Sequence, residues 1–443
     1  MGRSAFEYRL GYLIFMLGAL VFLLIPALHF HAIVYQVPDF KTVYSSSKCL
    51  IDECDPYDPA ALLKEYVKGG GDVSAKSDLS AFFPYQALYP PSSLFWVSPF
   101  ALLPWNAALA VWIAVSGSLF VTAAFLIGDI CREWTSQIPI ILLGLFLATS
   151  TLLLTTAQPS SVAIGLCAIG VWSLIRNRFI GLGVFCFALS LALKPQIGGL
   201  IVIYFFLAGG HHRRRSVAIL ASAAILCLPG ILWAAISPAI SNWPQELSAD
   251  IAGGSARGSI NDPGPSGYNA HLVSDLQSVI AVFDDDPPIY NRISWGIVGS
   301  LILIWAIVAW RSKPSLKKDL LGVAAIACLG LLPIYHRHYD VRLLVVTFPA
   351  VGVLMAEGRL MRLLAVLPPL ATIVCSHPTF IRDHLHLHQE SMGPIETILL
   401  LRLSPLALLF SGVFYLVLFV CTLDMIQDRT VKVEEQGRAW EGR

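Results

Sequence analysis

Long apolar runs, broken by basic residues, prolines and glycines, recur along nearly the whole chain. A helix needs about 20 apolar residues to cross a bilayer, so dividing the runs at those breaks predicts about twelve spans. They fall near 10–30, 106–130, 138–156, 159–175, 179–193, 196–208, 216–237, 293–310, 320–335, 341–356, 360–375 and 397–423. The expected architecture is an all-α polytopic protein, one integral membrane domain over 1–443. Two long connections are expected outside the spans, 31–105 with interfacial helices, and 238–292. In the first, 56–68 reads as a short interfacial helix. The segment 87–104, interrupted by Pro90, Pro91, Pro99 and Pro104, reads as apolar chain lying in or dipping into the interface.

Lysine and arginine collect on every second connection. Arg3 and Arg9, Arg132, Arg176 and Arg178, Arg213 to Arg215, Arg311 with Lys313, Lys317 and Lys318, Arg359 and Arg362, and the tail from Arg429 fall on one side. By the positive-inside rule that side is cytoplasmic, together with both termini. The first apolar run is too long for the core of a cleaved signal peptide and reads as a retained span. The expectation is a multi-pass protein of the cell inner (plasma) membrane with its polar motifs extracytoplasmic.

Composition agrees with this: of 443 residues, 56% are hydrophobic and 13% charged, a balance foreign to a soluble domain of this length. A net charge of +1, scattered in small groups, offers no counterion-releasing patch, so nucleic acid is not a partner. Most of the nine cysteines lie in apolar runs as small hydrophobes. Cys49 and Cys54 fall in the first outside loop, where an oxidising compartment either joins them or leaves two free thiols. Span centres are nearly free of charge and no strong internal repeat is visible, which weakens a transporter reading.

The chemistry-bearing residues lie in the outward connections. Asp39 opens the first, as a candidate base or as a plain helix-start acid. Asp55 before Pro56 has the form of a helix N-cap, with acceptor binding as the other reading and Asp58 as a rival. Lys194 interrupts an apolar stretch at the outer end of a span, where a charge calls for a partner or snorkels to the headgroups. His336, Arg337 and His338 occupy a short outer turn, suited to phosphate oxygens or to lipid headgroups. Arg342 either joins that pocket or pairs with Asp340. Gln158 holds a sugar hydroxyl or merely makes a turn. Asn269 and His271 follow the glycine-rich run 253–267, which reads as a loop closing over substrate or as disorder. Asp284 to Asp286 read as a solvated acidic turn more than a cation site. His384, His386 and His388 lack a carboxylate or cysteine at metal spacing, so no metal site is assigned.

One arrangement runs through these segments in order: Asp39, Phe40, Val43 and Tyr44; Asp55, Pro56 and Tyr57; Tyr89, Pro90, Pro91, Pro99, Leu103 and Pro104; Ala157 and Gln158; Leu193 to Gln196; and Tyr335 to Tyr339. It resembles the polyprenol-phosphate-mannose-dependent α-(1→2)-mannosyltransferases of the GT-C superfamily, relatives of the mycobacterial phosphatidylinositol-mannoside mannosyltransferase. The family usually carries glycine where this chain has Ala157. The resemblance implies a GT-C-type fold and an inverting transfer of a hexose, mannose in that family, from a polyprenyl phosphate carrier to a lipid or glycan acceptor outside the cytoplasm. It implies Asp39 as general base and Lys194, His336, Arg337 and His338 as donor-phosphate ligands. Tyr44, Asp55, Tyr57, Gln158, Gln196, Asn269 and His271 would then be sugar or acceptor contacts. No cofactor is called for, and divalent-metal dependence is not legible in the sequence. The chemistry stands independently, since a glycosyl phosphate carries its own leaving group and needs only a cationic pocket and one base. A transporter or lipid-linked sugar flippase is the alternative, and a structural scaffold trails both.

Overall fold

The computed structural model describes residues 2–72, 87–134, 136–267, 269–311, 313, 315–375 and 392–441. Among them the chain is helical throughout, without strands, apart from an isolated antiparallel bridge between Val273 and Arg337. Among the described residues, seven helices are long and apolar enough to cross a membrane: Arg9–Leu28, Trp105–Cys131, Ile138–Thr155, Pro159–Arg176, Gly210–Ile236, Pro287–Arg311 and Leu403–Leu423. Each matches an expected span. The other expected spans are helical but shorter. Ile180–Leu193, Pro195–Ala208 and Leu316–Leu329 have 14 residues each, about 21 Å of helix against a hydrocarbon core of about 30 Å. The run 341–356 is divided between a 3-10 helix, Asp340–Thr347, and an α-helix, Phe348–Met355. Arg359–Cys375 has 17 residues.

Helix Pro159–Arg176 is the central post, with 89% of its apolar window buried, against 22% in Gly210–Ile236 and 28% in Pro287–Arg311, whose apolar flanks are left for lipid. Helices Gly2–Leu28 and Ile138–Ala148 touch backbone to backbone at Gly18 and Gly144. A Cβ on Gly18 would come within 2.0 Å of the Gly144 carbonyl oxygen, the close approach that small residues permit in membranes.

Proline starts the helices around the site. Pro38, Pro59, Pro91, Pro159 and Pro195 each begin a helix, a position where a missing N–H costs nothing. A proline also keeps the residue before it out of helical backbone. Gln158 (φ −66°, ψ 133°) and Lys194 (φ −153°, ψ 83°) therefore stand just ahead of the helices they introduce.

The first loop departs from expectation at the start of its helix. Its helix runs over Pro59–Lys68, and its N-cap is Asp58, whose carboxylate accepts from the N–H groups of Ala60 and Ala61 at 3.1 and 3.2 Å. Asp55, expected as the cap, instead accepts from the Tyr57 N–H at 2.8 Å. Helix Pro91–Ala101, in the segment expected to lie in or dip into the interface, packs against neighbouring helices, burying Pro91, Ser92, Ser93, Leu94 and Val97. Ser93 Oγ donates to the carbonyls of Ala192 and Leu193 at 3.0 and 2.9 Å, tying this helix to the end of Ile180–Leu193 beside Lys194. Cys49 and Cys54 are joined in a disulfide at the far end of helix Pro38–Ile51.

Candidate functional site

A cavity of about 400 Å³ opens where the starts of Pro38–Ile51, Pro91–Ala101 and Pro195–Ala208 meet the 335–340 turn and helix Trp243–Gly254. Its polar wall carries Asp39, Thr42, Tyr89, Lys194, Gln196, Asn261, Tyr335, Arg337, Tyr339 and Asp340. Its apolar wall includes Leu88, Leu193, Leu247, Ile251, Ile260 and Ile334. Leu247, Ile251 and Gly254 recur at helical spacing, so one face of Trp243–Gly254 covers the cavity. Helix N-termini carry partial positive charge, and several of them border this one space.

Asp39 stands in the first turn of its helix, partly buried, with no ion pair among the described residues. Burial raises its pKa above the ordinary 3.8. Arg337 and then Lys194 pull it down, and the charge of Asp340 adds to the rise. The phenols of Tyr89, Tyr335 and Tyr339 stand within electrostatic reach of it. Phe40 and Tyr44, on the same helix, face inward against Trp105 and Trp112.

Lys194 is buried and fully engaged. Its Nζ donates to Asp340 Oδ1 at 2.8 Å and to Ser160 Oγ at 2.6 Å, and lies 5.4 Å from the centre of the Tyr339 ring. The other Asp340 oxygen lies 3.1 Å from His336 Nδ1 and 3.3 Å from the Arg337 N–H. Burial alone would raise the pKa of Asp340, but Lys194 and His336 outweigh it and hold the carboxylate well below the usual range.

Arg337 differs from Lys194. Its Nε donates to the Tyr335 hydroxyl and its Nη2 to Asn261 Oδ1 at 2.9 Å and the Ile260 carbonyl at 3.3 Å. Among the described residues Nη1 forms no hydrogen bond and no carboxylate pairs with the guanidinium. The second long connection holds this turn in place: the Ser274 N–H donates to the His336 carbonyl at 2.8 Å, and the His338 N–H to the Leu272 carbonyl at 3.0 Å.

Of the residues singled out from sequence, Asp39, Lys194, Gln196 and Arg337 line the cavity. His336 and His338 are buried behind it, against Asp340 and the Leu272 carbonyl respectively. Tyr44 donates to the Leu103 carbonyl at 2.9 Å in the aromatic core, and Tyr57 to the Tyr89 carbonyl at 2.9 Å. Asp55 lies away from the cavity, near Glu246 and Asp250. Asn269 stands just before the short helix Ala270–Leu272 without a side-chain capping bond, and His271 is buried within that helix. Gln158 is fully buried and does not reach the cavity. Arg342 neither lines the cavity nor pairs with Asp340; it donates to the Thr149 carbonyl at 2.7 Å and lies over Phe146. Asp285 pairs with Arg257 at 2.8 Å. His384, His386 and His388 lie outside the described residues.

Sequence reasoning passed over Asp340 as a partner for Lys194, and Asn261 and Ser160 altogether. The unpartnered lysine was itself the signal for Asp340. Asn261 lies within the glycine-rich run, part of which does border the cavity through Gly254, Ser255 and Ile260.

Fold and cavity together define a polytopic membrane enzyme with a recessed polar site. The chain belongs to glycosyltransferase family 87, whose model matches residues 87–334, more than half of its length, and it is a membrane glycosyltransferase. Neither a curated protein nor a solved structure matches it. Gln158, Lys194, Gln196 and Asn261 fall inside the matched span; Asp39 and the 335–340 turn fall outside it.

Proposed function

We propose that the cavity transfers a hexose, mannose in the reading we favour, from a polyprenyl phosphate to an acceptor hydroxyl, with inversion. Asp39 takes the acceptor proton, the acceptor oxygen attacks the anomeric carbon from the face opposite the phosphate, and the carbon–oxygen bond to phosphate breaks. The electron pair leaves on the phosphate, whose growing charge meets Arg337 and the surrounding helix N-termini. The observation that carries this reading is the pairing, on one cavity wall, of an acid without an ion pair, Asp39, and a guanidinium without a carboxylate, Arg337. Lys194 contributes through the Asp340 pair, as a neutralised cation that can shift toward an arriving phosphate. The apolar wall suits the lipid end of the donor.

An extracytoplasmic position is supported by polarity within one helix. Pro159–Arg176 has Ser160, next to Lys194, at one end, and Arg176, paired with Asp129 and Glu133 in a basic loop region, at the other. Its 18 residues separate these ends by about 27 Å. The Cys49–Cys54 disulfide fits an oxidising compartment. The transporter reading has no observation in its favour.

The test is transfer from radiolabelled mannosyl phosphoryl polyprenol into membrane lipid or glycan, by membranes carrying native protein, Asp39→Asn or Arg337→Ala. Loss of a general base lowers turnover by about 10²–10⁴-fold, and that is expected of Asp39→Asn. Arg337→Ala is expected to weaken donor use by about 10–100-fold, the worth of a charge-assisted hydrogen bond. Undiminished transfer by Asp39→Asn would remove the base assignment.

A further inference from the structure

Gln158 is 0% exposed, and neither Nε2 nor Oε1 of its carboxamide has a well-formed hydrogen bond. A buried amide left so costs about 1–3 kcal/mol for each group and calls for an explanation. Its main chain is held firmly. The Gln158 N–H donates to the Leu153 carbonyl at 3.1 Å, while its own carbonyl accepts from the Ser161 N–H at 3.0 Å and from Ser161 Oγ at 2.6 Å. Trp112 Nε1 donates to the Ala157 carbonyl at 3.0 Å. These bonds keep Ala157 in left-handed backbone, φ 49°, at a cost of about 1–2 kcal/mol for a residue with a Cβ. A strained, well-anchored turn thus delivers an amide without a settled partner to one place, and that place is beside Asp39: Trp112, which binds the Ala157 carbonyl, stacks on Phe40, the residue after Asp39, at 4.9 Å between ring centres, and Gln158 is among the groups that act on the Asp39 carboxylate.

Resting on the proposal that Asp39 is the base, we infer that Gln158 is a positioning residue for Asp39. An amide carries both a donor and an acceptor. Nε2–H meets the ionised carboxylate before transfer, and Oε1 accepts from the carboxylic acid once Asp39 has taken the acceptor proton. Catalytic hydrogen bonds are commonly loose in the free enzyme and tighten around substrate. Gln158 faces Asp39 from behind the cavity wall, so it acts through Asp39 and not on the sugar. The charged and titratable groups facing Asp39 from the other elements are Arg337, Lys194, Asp340, Tyr89, Tyr335 and Tyr339.

The sign of the effect follows. A donor to the ionised carboxylate favours that form, so removing it makes Asp39 harder to ionise and moves the acid limb of turnover to higher pH. The experiment measures transfer from labelled mannosyl phosphoryl polyprenol across pH for native protein, Gln158→Met and Gln158→Glu. Methionine matches the length without donor or acceptor. The expected result is an acid limb raised by about one pH unit in Gln158→Met, further in Gln158→Glu, with donor KM changed by less than about twofold and an undiminished unfolding temperature. If Gln158→Met does not accumulate in membranes, the nearly isosteric Gln158→Glu carries the test alone. An acid limb that stays in place, with or without a loss of stability, overturns the inference. Asp39→Asn in parallel separates the two claims: a dead Asp39→Asn beside an unmoved limb sinks only the role of Gln158, and an active Asp39→Asn sinks the base assignment and this inference with it.

Discussion

Two buried carboxylates at opposite ends of helix Pro195–Ala208 are held by similar partners in different settings. Toward its C-terminal end, Asp319 has one oxygen 2.9 Å from the Tyr204 hydroxyl and the other 3.5 Å from His212 Nε2. At its start, Asp340 has one oxygen on Lys194 and the other near His336. Both acids are satisfied. Next to Asp319 the neighbours are closed packing, with the Tyr204 ring against Gly322 and Trp305. Next to Asp340 are a cavity and, among the described residues, the Arg337 guanidinium with no acid paired to it and Asp39 with no cation paired to it. What separates a structural polar cluster from a site is therefore not the presence of buried charge but charge left incomplete beside open space.

Removing Asp340 tests this most severely. Asp340→Ala strands a buried lysine, and breaking such a pair costs about 3–5 kcal/mol, so the unfolding temperature and sugar transfer are both expected to fall sharply. Asp340→Ala combined with Lys194→Met should recover most of the stability, by thermal unfolding in detergent, while transfer stays low. Recovery of transfer in the double variant would show that the pair only holds the fold. At the other cluster, Asp319→Asn is expected to cost about 1–3 kcal/mol and to leave transfer within about twofold at temperatures below unfolding. A loss of transfer beyond that would put Asp319 in the working machinery.

The smallest effect concerns an acid on the cover helix and its neighbour Asp55. Burial, and then the charge of Asp55, pushes Asp250 from 3.8 up to about 6. The folded protein thus holds this proton more tightly than the unfolded chain. Its contribution is fully present below pH 3.8 and is lost as pH rises through about 6. Asp250→Asn should flatten the dependence of unfolding temperature on pH across that window, and an unchanged slope would discount the contact.

Much of this was readable in advance for local reasons. Prolines 38, 159 and 195 announce helix starts, and each places a polar residue beside the break: Asp39, Gln158 and Lys194. The need of Lys194 for a partner was also legible, because an unpaired charge in apolar chain is costly. Its partner was not, since Asp340 lies 146 residues away and also adjoins Arg342 in sequence. The N-cap fell on Asp58 and not Asp55 because the helix begins at Pro59, a choice set by how Pro59–Lys68 packs. Tyr44 and Asp39 share one helix, and only its rotation in the bundle turns the first inward to Leu103 and the second toward the cavity.

Hydrophobic period, proline breaks and the sorting of basic residues thus determined the class of molecule, a helical membrane protein with its polar motifs gathered away from its basic loops. These depend on free energies summed along short stretches of chain. Which cation stays open, which acid lacks an ion pair and which amide is buried beside it were decided by tertiary structure alone. Each depends on groups brought within a few ångströms from helices scores of residues apart, where desolvation and pairing are settled by neighbours that no local pattern names.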